Sequence, residues 1–417
     1  MNRKTPASAP PMEVLIEFLR RLSETLTQWD PALVLRGSLL LRYWFGPRAR
    51  PAADIDLECF ERRASRGDSR FSGAPVAHAR ALCIYAAEGG RASRQDRSAP
   101  SGIAFEPIDP EDGTDLWDYG TPGERCYTLW VAHDLNEAKG RLQIDIAQAG
   151  SIDLDAIGVE ELEWSASATP PFRFLAYTPE MLLAAKLSWI IRGLKRRGGA
   201  ECELPPQWIG APKDLFDANL LLTKANLRTD ELQKGLYAVG VEDKLDWLDL
   251  EHLLEASTRM GDEDFANWEE FRRQHEALFD CGPAEMLWTV SDRLRLLLGD
   301  FRDHIPFLRA INAEPADELA YLAYAEWLES RGDRRGQLLR LYVKWAFPPK
   351  KPTLLAQAHR LLARTFVPEE DMSPTRQALI AAMRATPAAW LYQVFGGPER
   401  YRLIGHQIEA ADGLSGK

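Results

Sequence analysis

Three acids and a small turn carry the chemistry that this sequence can do. In Asp54-Ile55-Asp56-Leu57, strand alternation puts Asp54 and Asp56 on one face and Ile55 and Leu57 on the other. Two carboxylates so placed repel each other unless a cation sits between them, and a hard divalent ion such as Mg²⁺ takes carboxylate and phosphate oxygens together. The bland alternative is a solvated strand edge with two surface acids. Just upstream, Arg36-Gly37-Ser38 precedes a short apolar helix. Glycine lets a backbone approach closely, and helix N-terminal N–H groups attract phosphate. Asp145, the sole acid in 138–149, interrupts a strand in which Leu142, Ile144 and Ile146 share the other face. Two-metal phosphoryl transfer, with ions about 3.5–4 Å apart, calls for a third carboxylate, which can also accept the proton of an attacking hydroxyl. An exposed acid on an alternating strand is the plainer reading of Asp145.

Later positions stay open on spacing alone. Lys186 interrupts an apolar helical stretch, with Leu182 and Trp189 on its face. Its ammonium either snorkels to water or meets the phosphates of a triphosphate. Asp214 and Asp217 lie on one face of the first turn of a further helix, where acids oppose the helix dipole favourably, so capping is the simplest reading. Other chemistries fail on spacing. The seven histidines form no HExxH pair, no G-x-S-x-G elbow surrounds Ser38, and no GxxxxGK[ST] loop occurs. The five cysteines lack CxxC spacing, which argues against structural zinc and for a reducing, cytoplasmic setting.

The elements that must position these residues follow from periodicity. A helical stripe (Leu15, Leu19, Leu22, Leu26) covers 12–28. Leu33 to Leu35 is a short strand, Ser38 is the expected N-cap of a helix over 39–45, and Asp54 to Phe60 is the next strand. A helix near 75–87 and a strand at 103–106 precede two strands, 125–132 and 141–147, joined by a loop with Asn136 and Gly140. Thr169-Pro170-Pro171 reads as a break. Helices are expected at 179–197 and 213–224 around a Gly/Pro-rich link, 198–212, and the chain is helical beyond, interrupted near 240, 261, 282 and 304. Strands mixed with helices up to about 170 and helices afterwards make an α+β domain followed by all-α parts. The expected domains are 1–170, 171–300 and 301–417.

Charge is unevenly spread. The 417 residues carry a net charge of −11, and 241–300 alone holds 16 acids against six bases. By contrast 181–200 has five bases, among them Lys195-Arg196-Arg197, and no acid. Arginines cluster near the Asp-x-Asp strand at Arg42, Arg48, Arg50, Arg62, Arg63, Arg66 and Arg70. An electropositive site on an acidic body suits a localised phosphate ligand, a nucleotide or one RNA end, better than a long duplex. No apolar run approaches membrane-spanning length.

Taken in order, Leu35-Arg36-Gly37-Ser38, Asp54-Ile55-Asp56-Leu57, Leu142-Gln143-Ile144-Asp145-Ile146, the stretch Thr178 to Lys186 and Pro212-Lys213-Asp214-Leu215-Phe216-Asp217 resemble the AbiEii/AbiGii (MenT-like) nucleotidyltransferase toxins over roughly residues 10–225. The resemblance implies a polymerase-β-like nucleotidyltransferase fold using Mg²⁺ and an NTP. Known members of that family act as toxins, some by adding nucleotides to tRNA 3′ ends. It further implies that Asp54, Asp56 and Asp145 hold two Mg²⁺ ions, and that Arg36, Gly37, Ser38, Lys186 and Asp217 contact the nucleotide. Asp214 would be a late catalytic acid, and an antitoxin a partner. A second stretch, Ile305 to Leu341, resembles the bacterial repeat-companion domain and reads as two helices joined by a Gly-Asp turn.

The expectation is a Mg²⁺-dependent transfer of NMP from an NTP to an acceptor hydroxyl, the tRNA 3′ end foremost, as a toxin of a toxin–antitoxin or phage-defence system. A non-catalytic nucleotide-binding interaction protein, or the same chemistry on a small molecule or protein, are the alternatives.

Overall fold

The carboxylate pair lies on a central strand. In the computed structural model, residues 10–27, 31–60, 75–88, 103–107, 116–117, 126–135, 138–149, 157–166, 169–198, 212–243, 249–265, 267–279, 281–299 and 301–346 are described, with the single positions 154, 382 and 394. Arg62, Arg63, Arg66, Arg70 and Asn136, and nearly all of the link 198–212, lie outside that set.

Eight strands form one mixed sheet: β1 (Ala32–Arg36), β2 (Asp54–Phe60), β3 (Ile103–Pro107), β4 (Leu116–Trp117), β5 (Cys126–Leu135), β6 (Ala138–Gln148), β7 (Val159–Ala166) and β8 (Thr169–Tyr177). Their order is β3-β5-β6-β2-β1-β8-β7, with β4 on β5. β2 runs antiparallel to β1 and parallel to β6. Its two faces behave as alternation requires: Ile55, Leu57 and Cys59 are buried in the core, and Asp54, Asp56 and Glu58 share the opposite face.

Helices cover the sheet. α1 (Met12–Thr25) presents Leu15, Leu19 and Leu22 inward and packs on β7, β8 and α3 (Pro75–Ala87). α2 (Ser38–Phe45) packs on β1 and β2, with Leu39, Leu40 and Leu41 all fully buried. Each buried leucine contributes about 1.5–3 kcal/mol, so this short helix is fixed by packing rather than by its length. α4 (Pro179–Gly198) follows β8, and α5 (Pro212–Lys224) packs on both α4 and α2. Phe216 on α5 joins Phe271 and Phe279 in an aromatic cluster that anchors α8 (Trp268–Gln274), the third helix after α5, following α6 (Thr229–Asp243) and α7 (Asp249–Ala256).

One expectation is corrected. Thr169-Pro170-Pro171 is not a break but the start of β8, which pairs with β7 as a hairpin. An irregularity between Trp164 and Ala166 faces the two prolines, where a missing N–H does least harm to the ladder. The strand signal was present in β7, where Leu162 and Trp164 point inward and Glu161 and Glu163 outward.

The chain divides into two compact units, residues 1–242 with 253–293, and 243–252 with 294–417. Helices Phe301–Ala313, Glu318–Ser330 and Arg335–Ala346 belong to the second. Asp317 caps the middle helix through its bond from the Leu319 N–H. Gly332, at φ 74°, and Asp333 make the turn that the sequence predicts there. Among the described residues no helix is long and apolar enough to cross a membrane.

Candidate active site

The turn between β1 and α2 comes first. Arg36 pairs with Asp56 across the antiparallel β1–β2 ladder. Gly37 then takes φ 83°, a conformation that favours glycine, and a Cβ there would overlap Asp56 Oδ2. Two independent constraints thus require glycine. Gly37, not Ser38, is the N-cap of α2, and no side-chain cap bond forms. Ser38 is instead the first helical residue. Its buried hydroxyl lies 3.5 Å from Asp54 Oδ1, at the limit of a hydrogen bond.

The β2–β6 register places Asp56 beside Asp145 and Asp54 beside Gln143. Carboxylate oxygens of Asp54, Asp56 and Asp145 all lie within 4.8 Å of one another. Asp145 is held from both sides: Thr128 Oγ1 on β5 donates at 2.6 Å and Gln143 Nε2 at 2.8 Å. This grouping is electrostatically unfavourable alone. The charge of Asp56, then burial, push Asp54 up to about 7. Burial is the main cause that raises Asp145, against the hydrogen bonds from Thr128 and Gln143. Three converging hard oxygens with mutual repulsion to relieve fit a divalent cation well.

Lys186, Asp214 and Asp217 are drawn into a buried network. Lys186 Nζ on α4 lies 2.7 Å from Asp214 Oδ1 and 3.0 Å from Asp217 Oδ2 on α5. Arg50, four residues before Asp54, grips Asp217 with Nε and Nη2, each at 3.1 Å. Two cations and two anions therefore close on one another. Although burial opposes its charge, Asp214 and Asp217 hold the Lys186 ammonium above the usual amine range. Burial likewise pushes Asp217 up, but Lys186 and Arg50 hold it below the usual carboxylate range. Neither simple reading survives here. Lys186 does not snorkel to water, and Asp214 and Asp217 do more than cap a helix.

A smaller group braces Arg36. Buried Glu58, two residues beyond Asp56 on the same face, accepts a hydrogen bond from the Tyr177 hydroxyl on β8. Arg36 Nη1 lies 3.5 Å from the same carboxylate oxygen, Glu58 Oε2. The Arg36 charge also acts on Asp145, opposing the rise caused by burial.

Arg50, Thr128, Gln143, Glu58 and Tyr177 were not singled out as site residues in the sequence. Glu58 left a trace as the next acid on the Asp54/Asp56 face, and Gln143 as the polar residue that shares the strand face of Asp145. Arg50 was one arginine in a cluster, and nothing local pointed it at Asp217. The backbone of Lys195, Arg196 and Arg197 closes α4, but their side chains lie outside the described set.

The family model described as nucleotidyl transferase AbiEii toxin, type IV TA system, matches residues 18–294. None of the curated proteins matches the chain. Among solved structures, JHP933 from Helicobacter pylori is similar at 13% identity and a TM-score of 0.37, over 73% of this chain and 99% of that one. A provisionally assigned nucleotidyltransferase of Helicobacter pylori is similar at 12% identity and a TM-score of 0.34, over 70% and 98% of the two chains.

Proposed function

The chain belongs to the AbiEii family of nucleotidyltransferase toxins, and we propose that it moves a nucleoside monophosphate from an NTP to an acceptor hydroxyl, the 3′ end of tRNA. The observation that carries this reading is the convergence of Asp54, Asp56 and Asp145 within 4.8 Å, beside the Gly37-Ser38 turn.

Asp54 and Asp56 would hold two Mg²⁺ ions and Asp145 one of them. Bound there, the ions supply positive charge against the triphosphate and the negative charge that develops during transfer. The residues of the chain do the rest. The Gly37 turn lets the backbone approach the phosphates, and Ser38 and Arg36 orient them. Asp145, raised by burial, is suited to accept the proton of the attacking hydroxyl. The acceptor oxygen forms a bond to the α-phosphorus, the α–β phosphoanhydride bond breaks, and pyrophosphate leaves with that electron pair. Lys186, Asp214, Asp217 and Arg50 hold α4 and α5 against the segment that enters β2.

A single-stranded RNA end agrees with the strongly acidic segment 241–300, which argues against coating a duplex. As a toxin of this family the protein would be countered by a cognate antitoxin in the cytoplasm. Incubation with labelled NTPs, Mg²⁺ and total RNA tests the reading. Label in tRNA, lost in Asp54→Ala and falling steeply with salt, is the expected result. No transfer from any NTP to any RNA would sink it.

A further inference from the structure

Strand alternation extends the face of the acidic triad onto the next strand. On β5, Leu129 and Val131 are buried in the core, so Trp130 shares the face of Thr128, which donates to Asp145. On β6, Leu142 and Ile144 are buried, so Arg141 and Gln143 share the face of Asp145. The β5–β6 register sets Trp130 opposite Gln143 and Arg141 opposite Ala132. Gln143 is itself bonded to Asp145 and registered beside Asp54. Trp130 is therefore a diagonal neighbour of Asp145, and such neighbours stand about 7–8 Å apart, within reach of an aromatic side chain. Trp130 is only half-buried and Arg141 is exposed. No acid stands directly across the hairpin from Arg141.

The direction of transfer decides what belongs on this face. In-line displacement puts the attacking and leaving oxygens on opposite sides of the phosphorus. The strands run in the order β5-β6-β2-β1. With the leaving pyrophosphate at the Gly37-Ser38 turn after β1, the acceptor hydroxyl comes from the β6 side, where Asp145 takes its proton. The nucleotide that carries this hydroxyl then lies over β6 and β5. We infer that Trp130 is the platform on which the terminal base of the acceptor RNA stacks, and that Arg141 binds the phosphate of that nucleotide. The inference rests on the nucleotidyl-transfer reading and deepens it. An indole face accepts any base, and a guanidinium matches phosphate geometry. A single-stranded end suits the pair, because its base is free to be splayed out and stacked on an aromatic ring.

The test compares Trp130→Ala, Trp130→Phe and Arg141→Gln with wild type in steady-state transfer to tRNA, in equilibrium binding of a labelled short single-stranded RNA, and in thermal melts. Trp130→Ala is expected to weaken RNA binding and raise the KM for tRNA about tenfold or more, as loss of one stacked base does. The KM for NTP and the melting temperature should stay as in wild type. Trp130→Phe should recover most of the RNA affinity, since the ring is kept. Arg141→Gln should weaken binding and reduce the salt slope by about one. Unchanged RNA binding in Trp130→Ala and Arg141→Gln, with an active wild type, would overturn the inference and leave nucleotidyl transfer standing. A rise in the KM for NTP alone would assign Trp130 to the incoming base and overturn it equally. A wild-type chain that transfers to no RNA would remove the reading on which it rests.

Discussion

Gly37 and Asp56 share a space that admits only one of two groups, a Cβ at the turn or the carboxylate of the central strand. The turn and the acid pair are thus one device, because the backbone proposed to approach phosphate also forms one wall of the Asp56 carboxylate. Gly37→Ala should be damaging on both counts. Strain at φ 83° costs about 1–3 kcal/mol, and a carboxylate displaced by about 1 Å costs on the order of a hundredfold in rate. Chemical denaturation and single-turnover kinetics measure the two losses separately. A Gly37→Ala protein with wild-type turnover would show that Asp56 has no fixed position to lose.

The crowding of Asp54 by Asp56 gives a pH signature in the absence of metal. Asp54 is raised from 3.8 to about 7 in the folded chain. A group raised in this way stabilises the fold fully below its unfolded value and loses that contribution as pH rises through its folded value. The metal-free protein should therefore melt at a higher temperature at pH 5.5 than at pH 8. Mg²⁺ should narrow the difference by favouring the charged form, and Asp54→Asn should shrink it, leaving the smaller share of Asp145, which burial also raises. Melts in EDTA against pH check this, and a metal-free slope equal in wild type and Asp54→Asn would refute the cause given.

Removing one member of the Arg50–Asp217–Lys186–Asp214 network leaves its partners charged and buried. Asp217→Ala and Lys186→Met should each destabilise by about 3–5 kcal/mol, and the double variant by clearly less than the sum. The pH window follows from the two directions. Asp217, held low, loses its contribution only in acid below the usual carboxylate range. Lys186, held high, loses its own only in alkali above the usual amine range. The network should thus contribute evenly around neutrality. Urea titrations of the double-variant cycle test the coupling, and additive losses would mean that the residues do not act together.

Glu58, held by Tyr177, braces Arg36. A hydrogen bond to a charged group contributes about 1.5–3 kcal/mol. Glu58→Gln should therefore raise the KM for NTP by roughly tenfold and lower kcat less, because Arg36 loses its brace but not its charge. Tyr177→Phe should show the same pattern more weakly. Initial rates over a range of NTP concentrations decide, and an effect on kcat alone would speak against phosphate orientation by Arg36.

Much of the site could be read from residue types and spacing because strand alternation is local. Asp54, Asp56 and Glu58 must share a face if 54–60 is a strand, and Asp145 must oppose the apolar Leu142, Ile144 and Ile146. Likewise Gly37 marks the turn, and the order of motifs shows the family. Other features depend on partners distant in sequence, and no periodicity encodes them. Only the β2–β6 register brings Asp145 to Asp56. The direction of Lys186, to water or to a carboxylate, depends on where α5 packs, and Arg50 meets Asp217 only across a sequence separation of 167. β8 was missed for the same reason: a Pro-Pro start reads as a break until β7 supplies its ladder. The sequence by itself determined which groups can do chemistry and on which strand face they stand. The tertiary structure decided which charges neutralise one another and which stay available, because burial and pairing distance set the cost of leaving a charge alone.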